Sequence, residues 1–178
     1  LKKGEEKRVL QGHSWVYANE VARIEGKDKN GSLASVYSYD GKFIGKGYIN
    51  HLSKILVRIF IRDEYQSDDK DFYLNRIIDA NQTRVNLGYD NCYRMVFAEA
   101  DGLPALIVDK YDDILVCQFL SLGINMRKDL IVECLVELFA PRGIYERSDV
   151  AVRKKEGLEE QTGVLYGEVP DRVIIVEN

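Results

Sequence analysis

The chain has 178 residues, is 46% hydrophobic and 30% charged, and carries a formal net charge of −4 with a pI near 5.3. This composition suits an ordinary globular protein of one domain or two small ones, and the acidic balance argues against indiscriminate nucleic-acid binding by the whole surface. No apolar run approaches the ~20 residues of a membrane span, and Leu1-Lys2-Lys3-Gly4 has no signal-peptide core behind its lysines; a cytoplasmic protein without membrane contact is the expectation.

Residues 1–62 read mostly as strands. A short helix is predicted over Glu5 to Leu10, and Glu20 to Ile24 is a weak strand candidate. Leu33 to Tyr39 alternates loosely and meets Asp40-Gly41, a dipeptide suited to a tight hairpin in which both turn positions take positive φ. Lys42 to Ile49 returns as its partner, with Gly45 and Gly47 marking a bulge or a close backbone approach. Ile55 to Ile61, rich in β-branched residues, is a further strand. Together these predict a small β-barrel or rolled sheet of ~60 residues, enough for one small domain.

The polar stretch Asp63 to Asp69 marks the expected domain boundary, with Asp68 as cap of a following helix. Phe72, Leu74, Ile77, Ile78 and Val85 give that helix an apolar side, and Gly88 stops it. Three strands follow, Tyr93 to Ala98, Ala105 to Asp109 and Ile114 to Leu120, joined by short links that predict antiparallel neighbours. Leu130, Ile131, Cys134, Leu135, Leu138 and Phe139 form one stripe at helical spacing, which Pro141 ends before a strand at Ile144 and Tyr145. The fold class is therefore α+β: an N-terminal β-barrel over 1–66, a middle domain over 67–170 with a mixed sheet covered by two helices, and a strand beginning at Arg172 to Val176 in segment 171–178.

Cys92, Cys117 and Cys134 form no C-x-x-C pair, and with only His13 and His51 beside them no metal-ligand spacing emerges. There is no G-x-G-x-x-G, P-loop or G-x-S-x-G. Three constellations remain. Gly12-His13-Ser14-Trp15-Val16-Tyr17 is either an aromatic plug of a small core or a surface on which unpaired bases stack. Glu99-x-Asp101-Gly102-Leu103-Pro104 leading to Asp109-x-Tyr111 reads on its own as a Gly-Pro turn between strands. Tyr145-Glu146-Arg147-Ser148-Asp149 running to Arg153-Lys154-Lys155-Glu156-Gly157 is either a solvated loop or a functional one mounted on a strand end.

Taken together, the three constellations resemble the bacterial SAM-dependent rRNA methyltransferases that join a PUA domain, a middle α+β domain and a Rossmann-like catalytic domain, whose best-known members methylate carbon 5 of a cytosine in 23S rRNA. Ser14 stands where that family has proline and Ala105 where it has glycine. The resemblance implies an RNA-binding, substrate-positioning unit without catalytic residues of its own, the S-adenosyl-L-methionine site and the nucleophilic cysteine lying in a domain expected past Asn178. In the whole enzyme a cysteine thiolate would attack C6 of an unstacked cytosine and make C5 nucleophilic toward the methyl group.

The resemblance assigns Lys7, Arg8, His13, Trp15, Arg58 and Arg62 to structured RNA. It assigns Asp101, Arg147, Ser148, Asp149, Arg153 and Lys154 to the substrate cleft. No metal and no bound cofactor are expected in this unit, and self-association is left open. The competing reading is a stand-alone RNA-binding adaptor without enzymatic activity.

Overall fold

The computed structural model describes residues 1–27 and 29–174. The chain opens with helix α1 (Glu6–Leu10) and strand β1 (Trp15–Tyr17), then β2 (Leu33–Tyr37), β3 (Phe43–Ile49) and β4 (Ile55–Ile61). These strands form an antiparallel sheet in the order β1-β4-β3-β2. Its outer strands β1 and β2 are not paired with each other among the described residues, so hydrogen bonds do not close it into a full barrel. Gly47 lies over β4 so closely that a Cβ there would stand 2.0 Å from the carbonyl oxygen of Arg58. A one-residue register shift sits between Lys46 and Gly47, as a bulge at that glycine requires.

Helix α2 (Lys70–Asn86) leads into β5 (Cys92–Phe97), β6 (Leu106–Tyr111) and β7 (Ile114–Phe119). The short α3 (Leu122–Asn125) and the longer α4 (Lys128–Phe139) follow, and then β8 (Gly143–Ser148) and β9 (Gln161–Gly167). The second sheet runs β5-β6-β7-β8-β9 and is mixed, with β7 and β8 its single parallel pair among the described residues. Both α2 and α4 lie on one face of it, where Met95, Val96, Leu106, Val108, Cys117 and Phe119 are fully buried.

The apolar core is divided unequally. Val9, Val16, Val36, Ile44, Ile49, Leu56, Val57 and Ile59 pack within the first sheet. Tyr48, Phe60 and Ile61, although on β3 and β4, belong to the larger core beneath the second sheet. The Tyr48 hydroxyl donates to Asp68 at 2.8 Å and shares a hydrogen bond with the Tyr73 hydroxyl. Arg127 donates to the same Asp68 and lies over the Tyr48 ring. Burial raises both tyrosine pKa values, that of Tyr73 to about 12. Gly123 in α3 rests on the Tyr48 ring, where a Cβ would come within 2.2 Å of it.

Several local expectations are corrected. Glu20 to Ile24 is no strand: Ala18–Glu20 is a 3₁₀ turn, and the Glu20 carboxylate is held by the Tyr17 amide and Arg8. The β2–β3 turn does not place both central residues at positive φ. Gly41 alone does so (φ 78°), in a longer loop closed by Ser38, and the register shifts between Val36 and Tyr37. Asp69, not Asp68, caps α2, accepting from the Phe72 amide at 3.0 Å, because Asp68 is committed to Tyr48 and Arg127. Ile78 and Val85 face solvent; Tyr73 and Ala80 take the buried side instead. The short β1 and α3, and the strand β9, were not foreseen. Residues 172–174 are not in a strand, and the rest of the strand expected there, 175–176, lies outside the described residues.

Candidate nucleic-acid interface

The three sequence constellations, far apart in the chain, meet around Arg58 on β4. Its guanidinium donates to the Glu156 carboxylate at 2.7 Å, approaches Glu99 at 3.5 Å and lies 5.6 Å from the Trp15 ring centroid. Trp15 donates from Nε1 to Glu99 at 2.7 Å, and His13 accepts the Trp15 backbone N–H on Nδ1 at 3.0 Å. Glu156, 2% exposed, also accepts from Asn50 and from the Ser53 hydroxyl at 2.6 Å. The aromatic segment, the turn after β5 and the 3₁₀ turn Ala151–Glu156 are thereby locked together, and the first sheet is bolted to the second. A buried carboxylate of this kind is stable only because each oxygen is matched by donors and a cation.

This arrangement sorts the candidate RNA-binding residues. Arg58 faces inward. Arg62 donates to the carbonyls of Val9 and His13, and desolvation lowers its pKa. Arg8 pairs with Glu20 at 2.5 Å and lies over Tyr17. Trp15 and His13 are half-buried and held edge to face. Lys7 is exposed and makes no ion pair among the described residues.

The cleft candidates divide in the same way. Asp101 forms a two-pronged bond with Arg84 at 2.6 and 2.8 Å and accepts the Phe97 amide, clamping the turn after β5 onto α2. Ser148 is buried, its hydroxyl accepting from the Phe119 amide. Arg153 is 2% exposed and donates to the carbonyls of Phe119 and Glu159 and to Asn125. Beside it Glu146, 1% exposed, takes Lys128 at 2.6 Å. Arg147 and Asp149 are exposed and 3.7 Å apart, and the exposed Lys154 pairs with Glu160 at 2.9 Å. Glu99, Glu146 and Glu156 are the residues that the sequence reading did not single out. The signal available was only that each sits inside a motif already noted.

Cys117 and Cys134 offer no ready thiolate. Burial pushes the Cys117 thiol well up, and that of Cys134 to about 11, whereas a nucleophilic cysteine needs a lowered value. The parallel crossover from β7 to β8 carries a single glycine, Gly123, in the link after β7, not the glycine-rich turn that cradles a nucleotide-like cofactor. Among the described residues no group of three or more His, Cys, Asp or Glu side chains could hold a metal, and no helix is long and apolar enough to cross a membrane. A cavity of about 830 Å³ lies elsewhere, between β2 and residues 21–27. It includes none of the charged residues of the Arg58 junction.

Comparison with known proteins bears on the same regions. Residues 1–62 match the family described as PUA-like domain. Over 99% of its length the chain is 42% identical to ribosomal RNA large subunit methyltransferase I of Aeromonas hydrophila, and 42% identical to the protein of that name from Vibrio cholerae. The chain spans about 45% of the length of these relatives. Among solved structures, one assigned as a SAM-dependent methyltransferase from Streptococcus mutans superposes with a TM-score of 0.78 at 19% identity, over 98% of this chain and 44% of that one. Another, assigned as a methyltransferase and solved with SAH, superposes with a TM-score of 0.77 at 16% identity, over 94% of this chain and 42% of that one. The structural likeness shows a shared fold, and the curated relatives match the resemblance read in the sequence.

Proposed function

We propose that this chain is the RNA-docking and substrate-positioning part of a SAM-dependent rRNA methyltransferase, one that forms 5-methylcytosine in 23S rRNA when the whole protein is assembled. The observation that carries the reading is the 42% identity along the whole chain to proteins named for methylating large-subunit rRNA, with a PUA-like match over residues 1–62. In this reading residues 1–66 dock structured RNA, residues 67–170 set the wall of the substrate cleft, and 171–178 lead into a catalytic domain. Chemistry supports the division: the buried thiols, with raised pKa values at Cys117 and Cys134, suit packing rather than nucleophilic attack. The methyl donor would be supplied at a site outside these residues.

The Arg58 junction gives the unit its mechanical role. A docking module positions a base for a distant reacting centre only if its orientation is fixed, and misplacement by ~1 Å costs on the order of 100-fold in rate. The bonds of Glu99 and Glu156 to Arg58 and Trp15 set that orientation.

Titration of the chain with structured 23S rRNA fragments at several salt concentrations tests the reading. Binding that weakens steeply as salt rises is expected, because phosphate contacts release counterions. Absence of binding at low salt would overturn it. The purified chain with S-adenosyl-L-methionine and rRNA is expected to transfer no methyl group, and transfer by contaminant-free protein would overturn the assignment of chemistry elsewhere.

A further inference from the structure

The second sheet is covered on one face only. Along each strand the side chains alternate between the helix-covered core and an opposite face, which is left open except at the Ile114–Gly143 end, where Glu168 and Val169 lie against Gly143 and Ile114 is buried. Strand pairing lines up Arg94, Asp109, Val116, Tyr145 and Val164 in one row across that bare face. Phe97, Ile107 and Gln118 form a second row. Phe97, the last residue of the edge strand β5, is 49% exposed, and the Arg94 guanidinium lies 5.1 Å from its ring centroid.

Charge on this face opposes that of the chain. Of the residues at outward strand positions, Arg94 and Arg147 are cationic and Asp109 is acidic, in a chain of net charge −4. Asp109 is already matched by a two-pronged bond from Arg94, at 2.8 and 3.2 Å. Arg147, with a side chain 69% exposed, has Asp149 at 3.7 Å, beyond hydrogen-bond range, and lies close enough to Tyr111 for its charge to be felt there. The Arg–Asp pair lies at the β5–β6 edge of the row, and Val116, Tyr145 and Val164 continue it without charge. Rings interleaved with guanidinium groups on an open sheet suit unpaired bases, which stack on π-faces while their phosphates meet cations.

We infer that the bare face of the β5–β9 sheet is a stacking platform for single-stranded RNA, in which Phe97 receives a base and Arg147 a phosphate. The platform begins where the first sheet is attached, since Phe97 lies two residues before Glu99, the carboxylate that holds Trp15. It rests on the RNA-binding reading above and extends it: the first sheet docks structured RNA, and the second holds a strand drawn out of its helix.

The experiment measures binding of the whole chain to a short single-stranded RNA and to a duplex of the same length. Phe97→Ala and Arg147→Ala are each expected to weaken single-strand binding by roughly fivefold or more and to leave duplex binding unchanged. Thermal melts of both variants show that they fold. Photo-crosslinking with 4-thiouridine RNA is expected to label β5 or β8. Wild-type chain that binds neither RNA overturns this inference and the proposed function together. Binding to both RNAs that neither substitution alters, with crosslinks elsewhere, overturns this inference alone and leaves the face to a protein contact.

Discussion

Arg58 on β4 and Arg147 on β8 are both strand arginines that the sequence offers as phosphate contacts, and the fold treats them in opposite ways. Arg58 points into the seam between the sheets, its side chain 12% exposed, and meets two carboxylates and an indole ring. Arg147 points out of the sheet face opposite the helices, its side chain 69% exposed and 3.7 Å from Asp149. Arg153, six residues further on, repeats the inward case, bonded to backbone carbonyls at 2% exposure. In an acidic chain the presence of arginine says little about nucleic acid. What decides is whether acceptors from another segment, carboxylate or backbone carbonyl, reach it first.

The contrast is open to test by removing partners. Arg58→Ala leaves the buried Glu156 carboxylate facing Asn50 and Ser53 without its cation, and is expected to cost about 3–5 kcal/mol in urea unfolding. Glu156→Gln in the same background should recover part of that loss. A cost under ~1 kcal/mol would mean that the junction is not what joins the sheets. Gly47→Ala probes the same place without touching the guanidinium: its Cβ would stand 2.0 Å from the Arg58 carbonyl oxygen, so β4 must shift. A loss on the order of 2 kcal/mol is expected from the denaturation midpoint. Asp101→Asn weakens a charged two-pronged bond to Arg84 and is expected to cost about 1–2 kcal/mol. If Asp101 instead touches substrate, RNA affinity will change while stability does not.

Local pattern made much of the fold readable. The stripe of Leu130 to Phe139, the β-branched run of Ile55 to Ile61 and the glycine at position 47 each state their role in neighbouring residues, because helix and strand periodicity are local properties. Three-residue β1, four-residue α3 and the polar β9 were missed because such pieces are too short or too polar to show a period. Asp68 and Asp69 are adjacent acids before a helix, and only the tertiary partners Tyr48 and Arg127 decide which one caps it. The candidate site was legible as three motifs but not as one junction. Trp15, Arg58, Glu99 and Glu156 span more than 140 positions, and no single-sequence pattern encodes that meeting. The bare sheet face was equally hidden, since half-buried strand residues look alike in sequence whether or not a helix covers them.

The smallest expected effect completes the comparison. Arg147→Ala removes a side chain that is mostly in water and whose one ion pair, at 3.7 Å, is long and screened. Exposed pairs of this kind contribute little, so the unfolding free energy should change by less than about 0.5 kcal/mol. Urea unfolding of Arg147→Ala and Arg58→Ala under one set of conditions gives the comparison directly. A loss above ~1 kcal/mol for Arg147→Ala would mean that this arginine is tied into the fold as Arg58 is, and an outward residue free to meet a ligand would have to be sought elsewhere on the sheet.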